Sequence, residues 1–530
     1  MAAGYDTRAF VLTVLITVIA LGGVGCMIGP NYKRPPAPLA QQWNEVGDAS
    51  VNTNSEEYAD WWNVFNDAVL SHLIQIAYAQ NLTLRTAGVR VLESRAQLGL
   101  AIGEFYPQQQ FITAGVSYNR IPIAIPYNLL SNTYWTDSFG AQASWEIDVW
   151  GKLRRNIQSA DDAFLASVAT YDDALVTLTG DVAATYIQVE TLAKQVAIAK
   201  ENVERQKGIL KIVIARHDAG VVTGRDVYQA ENVLGQTEAS IPQLTAQLQQ
   251  SKNALAVLLG MPPGSLDQLL ANSKGIPVAP DSVSVGIPAD LLRRRPDLRE
   301  AELQAAAQCA QIGVAKADLL PAFTLFGNVS TVGTNVGRGL ESVFNGASLA
   351  YSVGPQVQWN LLNYGQITNN VRVQDAKYQE LLIDYQNAVL VAQKDVENGL
   401  SAYVESREAV GYLKYSVKAA EGALNIVTIQ YREGTLDFTA VLLAEQNLLA
   451  AQNALAQAEG AVPQGLVATY RAMGGGWQIR DGNDFVPRAT QNEMANRTYW
   501  GRLLTPDLMK PKAPGLPSPK DERFPVQLPE

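Results

Sequence analysis

The chain has very little of the residue chemistry that enzymes and metal sites use. Its 530 residues include two cysteines and two histidines, and His72 and His217 lie far apart with no cysteine near either. This spacing excludes a recognisable zinc motif and a conventional Cys/His nucleophile pair. Asp and Glu are scattered along amphipathic segments, where carboxylates are usually solvated. We therefore predict no enzymatic activity, no metal site and no cofactor, and we predict that Cys309 is a small buried residue of a helix.

Charge, and positive charge in particular, is also scarce. Charged residues make up 17% of the chain, and the formal net charge is −10. An average soluble domain has about 25% charged residues. The chain lacks the clusters of Lys and Arg that phosphate binding requires, which excludes nucleic acid as a partner.

The first 26 residues form an apolar leader that ends in a cysteine. Arg8 precedes an apolar run from Phe10 to Leu21, and Gly23-Val24-Gly25-Cys26 follows. The run is shorter than the about 20 apolar residues of a transmembrane helix, so we predict a secretory signal over 1–25. The last four residues resemble a lipobox, with Gly23 where leucine is usual, and they predict acylation of Cys26. The alternative is ordinary cleavage beside an incidental cysteine.

The chain contains two copies of one structural plan. Five pairs of landmarks are each separated by 214 residues, namely Pro107 and Pro321, Trp145 and Trp359, Gly151 and Gly365, Gly220 and Gly434, and Glu231 and Glu445. A single shared offset predicts an internal duplication. The predicted divisions are an extended segment over 26–66, a first repeat over 67–264, a linker over 265–290, a second repeat over 291–476, and a partly disordered C-terminal extension over 477–530.

Each repeat contains a segment in which apolar and polar residues alternate. The pattern extends from Ser138 to Val149 and recurs from Leu349 to Leu361, and with weaker partner segments it predicts β-hairpins over 109–149 and 322–362. A half-buried sheet of a soluble protein alternates in the same way, but export and strands of about 9 to 11 residues favour a membrane barrel. Four strands are too few to close a barrel, since the smallest form has about eight, so subunits must share one. Pro355 predicts a bulge or bend.

A very long helix follows each hairpin. The predicted ranges are 152–219 and 366–432, with return helices over 225–259 and 437–472. About 67 residues at 1.5 Å each would span roughly 100 Å. Apolar residues from Leu153 to Val196 recur at spacings of three and four, which predicts a coiled-coil-like seam. The expected fold is an α+β membrane protein with a long α-helical periplasmic barrel and four transmembrane β-strands per chain.

Five segments carry a resemblance to a known family. They are GPNYKRPPAP after Cys26, WWNVFNDAVLSHLIQIAYAQNLTLRTA, ASWEIDVWGKLRR, IPADLLRRRPDLREAE and GPQVQWNLLNYGQ. These segments resemble the TolC-like outer-membrane factors of tripartite efflux systems, in the lipoprotein branch often labelled NodT. The resemblance covers nearly the whole mature chain. It implies a homotrimer in which three subunits pool four strands each into a 12-stranded β-barrel of the outer membrane, and whose helices continue into the periplasm as a tunnel.

The resemblance also implies a function. The protein would be a lipid-anchored, passive conduit of the outer membrane that exports small molecules together with a periplasmic adaptor protein and an inner-membrane pump. Two alternatives remain at this point. A lipid-anchored coiled-coil structural protein or adhesin would not need paired strands of membrane length, and a periplasmic adaptor would show a lipoyl-like module and a single helical hairpin.

The turns after the long helices carry the predicted functional residues. Gly220 and Gly434 are each suited to end a helix in a left-handed conformation. In relatives the return turn of the second repeat lines the closed aperture, so the resemblance implies that Asp437 is the constriction residue, together with Arg432, Glu433 and Thr435. The predicted contacts with the adaptor are Asp218, Gly220, Thr223, Arg225 and Gly434. The alternative is that these are ordinary solvated residues of turns.

Overall fold

The computed structural model describes residues 27–52, 54, 58–120, 133–264, 266–334 and 348–504. The predicted signal, Cys26, the loops of both hairpins and residues 505–530 lie outside the described residues. The chain forms two compact units, and each takes segments from both repeats. The first unit consists of the described residues within 1–35, 92–167 and 301–384, and the second of those within 36–91, 168–300 and 385–530.

A four-stranded antiparallel sheet belongs to the first unit. Its strands, in spatial order, are Gln109–Arg120 (β1), Thr133–Ile147 (β2), Ala322–Thr334 (β3) and Leu349–Gln358 (β4). Residues that pair directly across strands point to the same side of a sheet. The register therefore aligns one row of residues with apolar side chains, Ile112, Ala141, Val329 and Tyr351, on one face. The adjacent row, on the opposite face, is Phe111, Gln142, Asn328 and Ser352.

The bulge expected at Pro355 is absent. Pro355 pairs with Leu325, and the register between β3 and β4 continues without a break from Ala322 and Gln358 to Thr331 and Leu349. Within the described sheet β4 pairs only with β3. An edge strand tolerates proline because the side that lacks the N–H group can face away from the neighbouring strand.

The helices are mostly long. The longer ones are Ala68–Gln80 (α1), Leu82–Gly103 (α2), Lys152–Asp218 (α3), Gly224–Leu258 (α4), Pro296–Ala317 (α5), Gln366–Glu433 (α6), Phe438–Ala472 (α7) and Arg488–Arg497 (α8). Short elements are the helices Asp267–Leu270 and Leu291–Arg294, the 3-10 segments Asn44–Gly47, Trp61–Phe65, Pro288–Asp290, Trp477–Arg480 and Gly501–Leu504, and a parallel pair of Val51–Asn52 with Val283–Ser284.

Local chemistry explains where several helices begin. The Asp67 carboxylate accepts hydrogen bonds from the N–H groups of Val69 and Leu70 at 2.8 and 3.1 Å, which caps α1. Pro296 is the first residue of α5, a position at which the missing N–H group has no helical partner to lose. Cys309 lies in α5 with 1% of its surface exposed, as predicted.

The predicted seam of α3 is buried in the second unit. Its apolar residues there with less than a tenth of their surface exposed are Val168, Tyr171, Leu175, Leu178, Val182, Tyr186, Val189, Leu192 and Val196. The Tyr186 hydroxyl lies 3.0 Å from Asp67, the residue that caps α1. The indole ring of Trp61 stacks on Tyr470, with centroids 5.5 Å apart. The core of this unit therefore joins the long helices to the segment that precedes the first repeat.

Equivalent residues of the two repeats make the same contact. The Trp145 indole donates to the carbonyl of Phe105 at 3.1 Å, and the Trp359 indole donates to the carbonyl of Leu319 at 3.0 Å. Both the donors and the acceptors are separated by the offset of 214 residues. The two halves therefore use one local design where a helix is followed by a hairpin.

Part of the C-terminal extension is packed. Phe485 and Val486 are buried, and the ring of Phe485 meets that of Tyr171 edge to face with centroids 5.0 Å apart. Arg480 is also buried and binds Asp172 of α3 through both carboxylate oxygens. The predicted partial disorder therefore does not apply to residues 477–504, and residues 505–530 lie outside the described residues.

Candidate functional site

The two turns after the long helices have the same backbone geometry. Gly220 has φ +74° and Gly434 has φ +81°, so both glycines adopt the predicted left-handed conformation. In the first turn Gly220 N–H donates to the His217 carbonyl and Val221 N–H to that of Arg216. In the second, Gly434 N–H donates to the Tyr431 carbonyl and Thr435 N–H to that of Gln430. This pair of bonds is the Schellman motif, which satisfies the last carbonyls of a helix.

Both turns rest on one apolar cluster, which we name the tip cluster. It consists of Ile209, Val213 and Ala230 from the first repeat, and of Leu424, Tyr431, Phe438, Val441 and Leu448 from the second. The rings of Tyr431 and Phe438 lie with centroids 5.6 Å apart. Because the cluster draws on both repeats, the two turns are held together within one chain.

Arg216 links the first turn to the second. Its guanidinium carbon lies 4.6 Å from the centroid of the Tyr431 ring, within the range of a cation–π contact. A Cβ atom at Gly434 would lie 3.5 Å from Arg216 Nη2. Among the described residues, Arg216 Nε and Nη1 are buried without a hydrogen-bond partner. The sequence analysis missed this residue, because a charged residue in a turn gives no sign of which neighbour it will contact.

The predicted aperture residues are all exposed on the second turn. Arg432, Glu433, Thr435 and Asp437 belong to this group. Asp437 is the N-cap of α7, and its Oδ1 accepts a hydrogen bond from Ala440 N–H at 3.3 Å. No ion pair within the described part of the chain joins Arg432 to Asp437. A gate that includes both residues therefore stays a prediction for the assembled protein.

The predicted adaptor contacts are exposed as well. Asp218 Oδ1 lies 3.7 Å from His217 Nδ1, and Arg225 lies 3.4 Å from the carboxylate of Asp226. Thr223 is the N-cap of α4 but makes no side-chain capping bond. It is the counterpart of Asp437 at the offset of 214 residues. Of the two equivalent caps, only the second therefore places a carboxylate at the tip.

Two turns of helix beyond the tip, α7 buries a carboxyl group. Glu445 is 5% exposed, and its Oε1 has no hydrogen-bond partner among the described residues. Burial raises the pKa of Glu445 to about 7, and the charge of Arg205 opposes that rise only in part. The equivalent residue of the first repeat, Glu231, is exposed. The sequence analysis used both residues as landmarks and did not predict that one of them is buried.

The described residues contain neither a metal site nor a helical membrane span. No group of three or more His, Cys, Asp and Glu side chains within the described ranges is placed to hold a metal ion. None of the helices in the part of the chain that the structure describes is long and apolar enough to cross a membrane.

Comparison with known proteins decides the family. The model of the family described as outer membrane efflux protein matches the chain twice, over residues 73–261 and 287–475. The chain belongs to this family. It is a subunit of an outer-membrane efflux channel, and the two alternatives of an adaptor and an adhesin are set aside.

Relatives and solved structures agree with membership of the efflux family. Nodulation protein T of Rhizobium leguminosarum bv. trifolii is 31% identical over 437 residues, which cover 82% of this chain and 91% of the relative. The pyoverdine export outer membrane protein OpmQ of Pseudomonas aeruginosa is 30% identical over 474 residues, covering 88% and 97%. The structure of the outer-membrane channel OprN matches with a TM-score of 0.78 and 31% identity, covering 86% of this chain and 100% of that one. The predicted α+β channel fold is thus confirmed.

Proposed function

We propose that three copies of this chain share one β-barrel of the outer membrane and form a passive conduit for small molecules. The observation that carries the proposal is the pair of open edges of the sheet. Strands β1 and β4, of 12 and 10 residues, each pair on one side only among the described strands. Exposed edges of this length favour pairing with another chain. Four strands per chain and three chains make a closed barrel of 12, within the size range of bacterial barrels.

The two faces of the sheet support a position in lipid. In the row of Ile112, Ala141, Val329 and Tyr351, Ile112 is 71% exposed and Tyr351 is 78% exposed. The opposite row offers Gln142, Asn328 and Ser352. A barrel in which the apolar row faces lipid and the polar row faces the lumen would bury the first and hydrate the second.

The remaining parts of the proposal concern attachment and partners. Cys26 is proposed to carry the lipid anchor, on the evidence of the leader that precedes it. The tip residues Asp437, Arg432, Glu433 and Thr435 are proposed to close the aperture, and Asp218, Gly220, Thr223, Arg225 and Gly434 to contact the adaptor. The energy for export would come from an inner-membrane pump. The relative OpmQ bears a name that refers to pyoverdine export, which is consistent with a small-molecule cargo.

Assembly and conductance test the proposal together. We expect the purified protein to migrate on gels as a trimer until it is boiled, and to give stepwise single-channel currents in planar bilayers. A monomer that gives no current would contradict the shared barrel. Labelling with radioactive palmitate tests the anchor separately, since it should be present in the parent protein and absent after Cys26→Ala.

A further inference from the structure

The first residues of the described chain lie in a groove of the first unit. Ile28 N–H donates to the carbonyl of Trp150 at 3.1 Å, directly after β2. A Cβ atom at Gly151, whose φ is +77°, would stand 2.8 Å from Met27 Cα. On the other side of the segment, a Cβ atom at Gly29 would stand 2.5 Å from Gly313 Cα of α5. Such approaches require glycine, because a side chain at either position would displace the segment.

Arg155 binds the same segment along its length. This residue of α3 is 2% exposed. Its Nε donates to the carbonyl of Ile28 at 3.1 Å, and its Nη2 donates to the carbonyl of Gly29 at 3.4 Å and to Asn31 Oδ1 at 2.8 Å. A buried guanidinium group is costly unless it is hydrogen-bonded, and three of the acceptors that surround this one belong to residues 28–31. The arginine and the segment therefore depend on each other.

The duplication shows that this groove is specialised. At the offset of 214 residues, the counterpart of Arg155 is Asn369, which is exposed, and the counterpart of Gly313 is Gly99. A Cβ atom at Gly99 would have nothing within 4 Å, whereas one at Gly313 would stand 2.6 Å from the Ile28 carbonyl oxygen. Of the two equivalent helix glycines, only Gly313 contacts the N-terminal segment.

We propose that residues 27–31 are held as a bound peptide in a groove built by Gly151, Arg155 and Gly313, and that Arg155 is the positioning residue that sets where the lipid on Cys26 leaves the protein. Cys26 is joined to Met27 by one peptide bond, so their Cα atoms are about 3.8 Å apart. The anchor would then leave beside Trp150, where β2 meets α3, close to the strands proposed to span the membrane. The inference rests on the proposed acylation of Cys26 for its function, but the groove itself does not.

The native thiol of Cys309 reports whether the groove is filled. It is 1% exposed, and its Sγ lies 3.6 Å from the carbonyl oxygen of Pro30. In the full-length assembled protein, maleimide labelling of Cys309 can be followed by mass spectrometry of its peptide. We expect Arg155→Ala and Gly313→Ala to raise the labelling rate by about tenfold or more, the factor expected for the loss of charge-assisted hydrogen bonds. Asn31→Ala, a change on the segment itself that leaves the helices intact, should raise it by less.

Matched controls separate positioning from general stability. Gly99→Ala makes the same change at the equivalent position of α2, and Arg154→Ala removes the neighbouring arginine, which binds Asp148. Neither should alter Cys309 labelling. Arg155→Lys keeps the charge but loses the forked geometry, so its rate should lie between parent and Arg155→Ala. Unchanged labelling in Arg155→Ala, Gly313→Ala and Asn31→Ala, or an equal rise in Gly99→Ala, would overturn the groove.

The anchor and the groove fail in distinguishable ways. If the parent takes up no palmitate while Cys309 labelling still depends on Arg155, the proposed acylation is wrong and the peptide groove stands. If palmitate is incorporated but Cys309 is protected equally in all variants, the anchor stands and the positioning role of Arg155 is wrong. Heat-resistant assembly should persist in Arg155→Ala, because the contacts that it removes lie outside the strands.

Discussion

Glu445 is the residue whose environment departs most from what its position in the sequence suggests. Because burial raises its pKa from the model value of 4.5 to about 7, the folded state binds a proton more tightly than the unfolded state does. The stability gained from that proton is complete below pH 4.5 and is lost as the pH rises through 7. The parent protein should therefore lose stability between pH 5 and 8.

The substitution Glu445→Gln should remove this pH dependence. We expect the variant to be more stable than the parent at pH 8, by at most about 3 kcal/mol for each chain, and similar to it at pH 5. Thermal unfolding followed by far-ultraviolet circular dichroism at pH 5, 6.5 and 8 measures the difference. Glu231→Gln, at the exposed equivalent position, is the control and should leave the profile unchanged. Equal pH profiles for the parent and Glu445→Gln would contradict the assignment.

Residues of this kind mark a limit of the sequence analysis. Glu231 and Glu445 occupy the same place in the repeated plan, and their local sequences do not distinguish a buried carboxyl group from an exposed one. The difference arises because the partner helices bring different residues, such as Arg205 of α3, to the two sites. The same limit applies to Arg216 and Arg480, whose partners are 215 and 308 residues away along the chain. Contacts at such separations leave no local pattern.

Among the elements, the C-terminal segment after α7 depends on one ion pair. Arg480 lies between the rings of Trp477 and Phe485, with its guanidinium carbon 5.5 and 5.4 Å from their centroids, and it binds Asp172, which is fully buried. Removing one partner of a buried pair leaves the other charge uncompensated. Arg480→Ala should therefore cost about 3 to 5 kcal/mol and expose residues 477–504 to protease.

The control for that segment is an exposed ion pair of the same type. Arg471 binds Asp181 at 2.7 Å, but the two side chains are 44% and 41% exposed. Arg471→Ala should cost less than about 1 kcal/mol. Chemical denaturation gives the free energies, and limited proteolysis shows which segment is released. If the two variants lose equal stability, the pair at Asp172 does not hold the segment.

The sheet permits a prediction about its two faces. Cysteines placed at Gln142 and Ser144 should react with a charged, membrane-impermeant reagent, whereas cysteines at Ala141 and Ala143 should not, because these face lipid. The register extends the test to β3, where a cysteine at Asn328 should react and one at its neighbour Val329 should not. Labelling is measured in intact outer membranes, with the parent as the control for Cys309. Equal reaction of both sets would refute the lumen and lipid assignment.

At this scale, prediction from sequence succeeded where the pattern is local. The helix α3 and the strand β2 follow from spacings of three and four and from alternation, each visible within a short stretch. Prediction failed at Pro355, where the bulge was inferred from the residue alone, although the place of β4 at the edge of the described sheet decides the outcome. It failed again at residues 477–504, because their polar composition hides a few apolar and charged anchors that bind distant parts of the chain.

For the whole molecule, the tips of three chains would meet at the aperture. Threefold assembly turns the exposed Asp437 into a ring of three carboxylates, and like charges at short range repel unless arginines or protons compensate them. Arg432, five residues earlier on the same turn, does not pair with Asp437 within one chain, which leaves it available to the Asp437 of a neighbouring chain. Closure of the channel would then depend on contacts between subunits.

A substitution that separates charge from capping tests this gate. Asp437→Ala removes both the carboxylate and the cap of α7, a loss of about 1 kcal/mol of local stability, whereas Asp437→Asn keeps a capping side chain and removes the charge. If the charge closes the channel, both variants, and the pair Asp437→Ala with Arg432→Ala, should raise the opening frequency in planar bilayers and the entry of vancomycin into cells. Thr223→Ala changes the equivalent cap of α4 and should do neither. Opening in Asp437→Ala but not in Asp437→Asn would assign the effect to the helix end, and no opening in any variant would place the gate elsewhere.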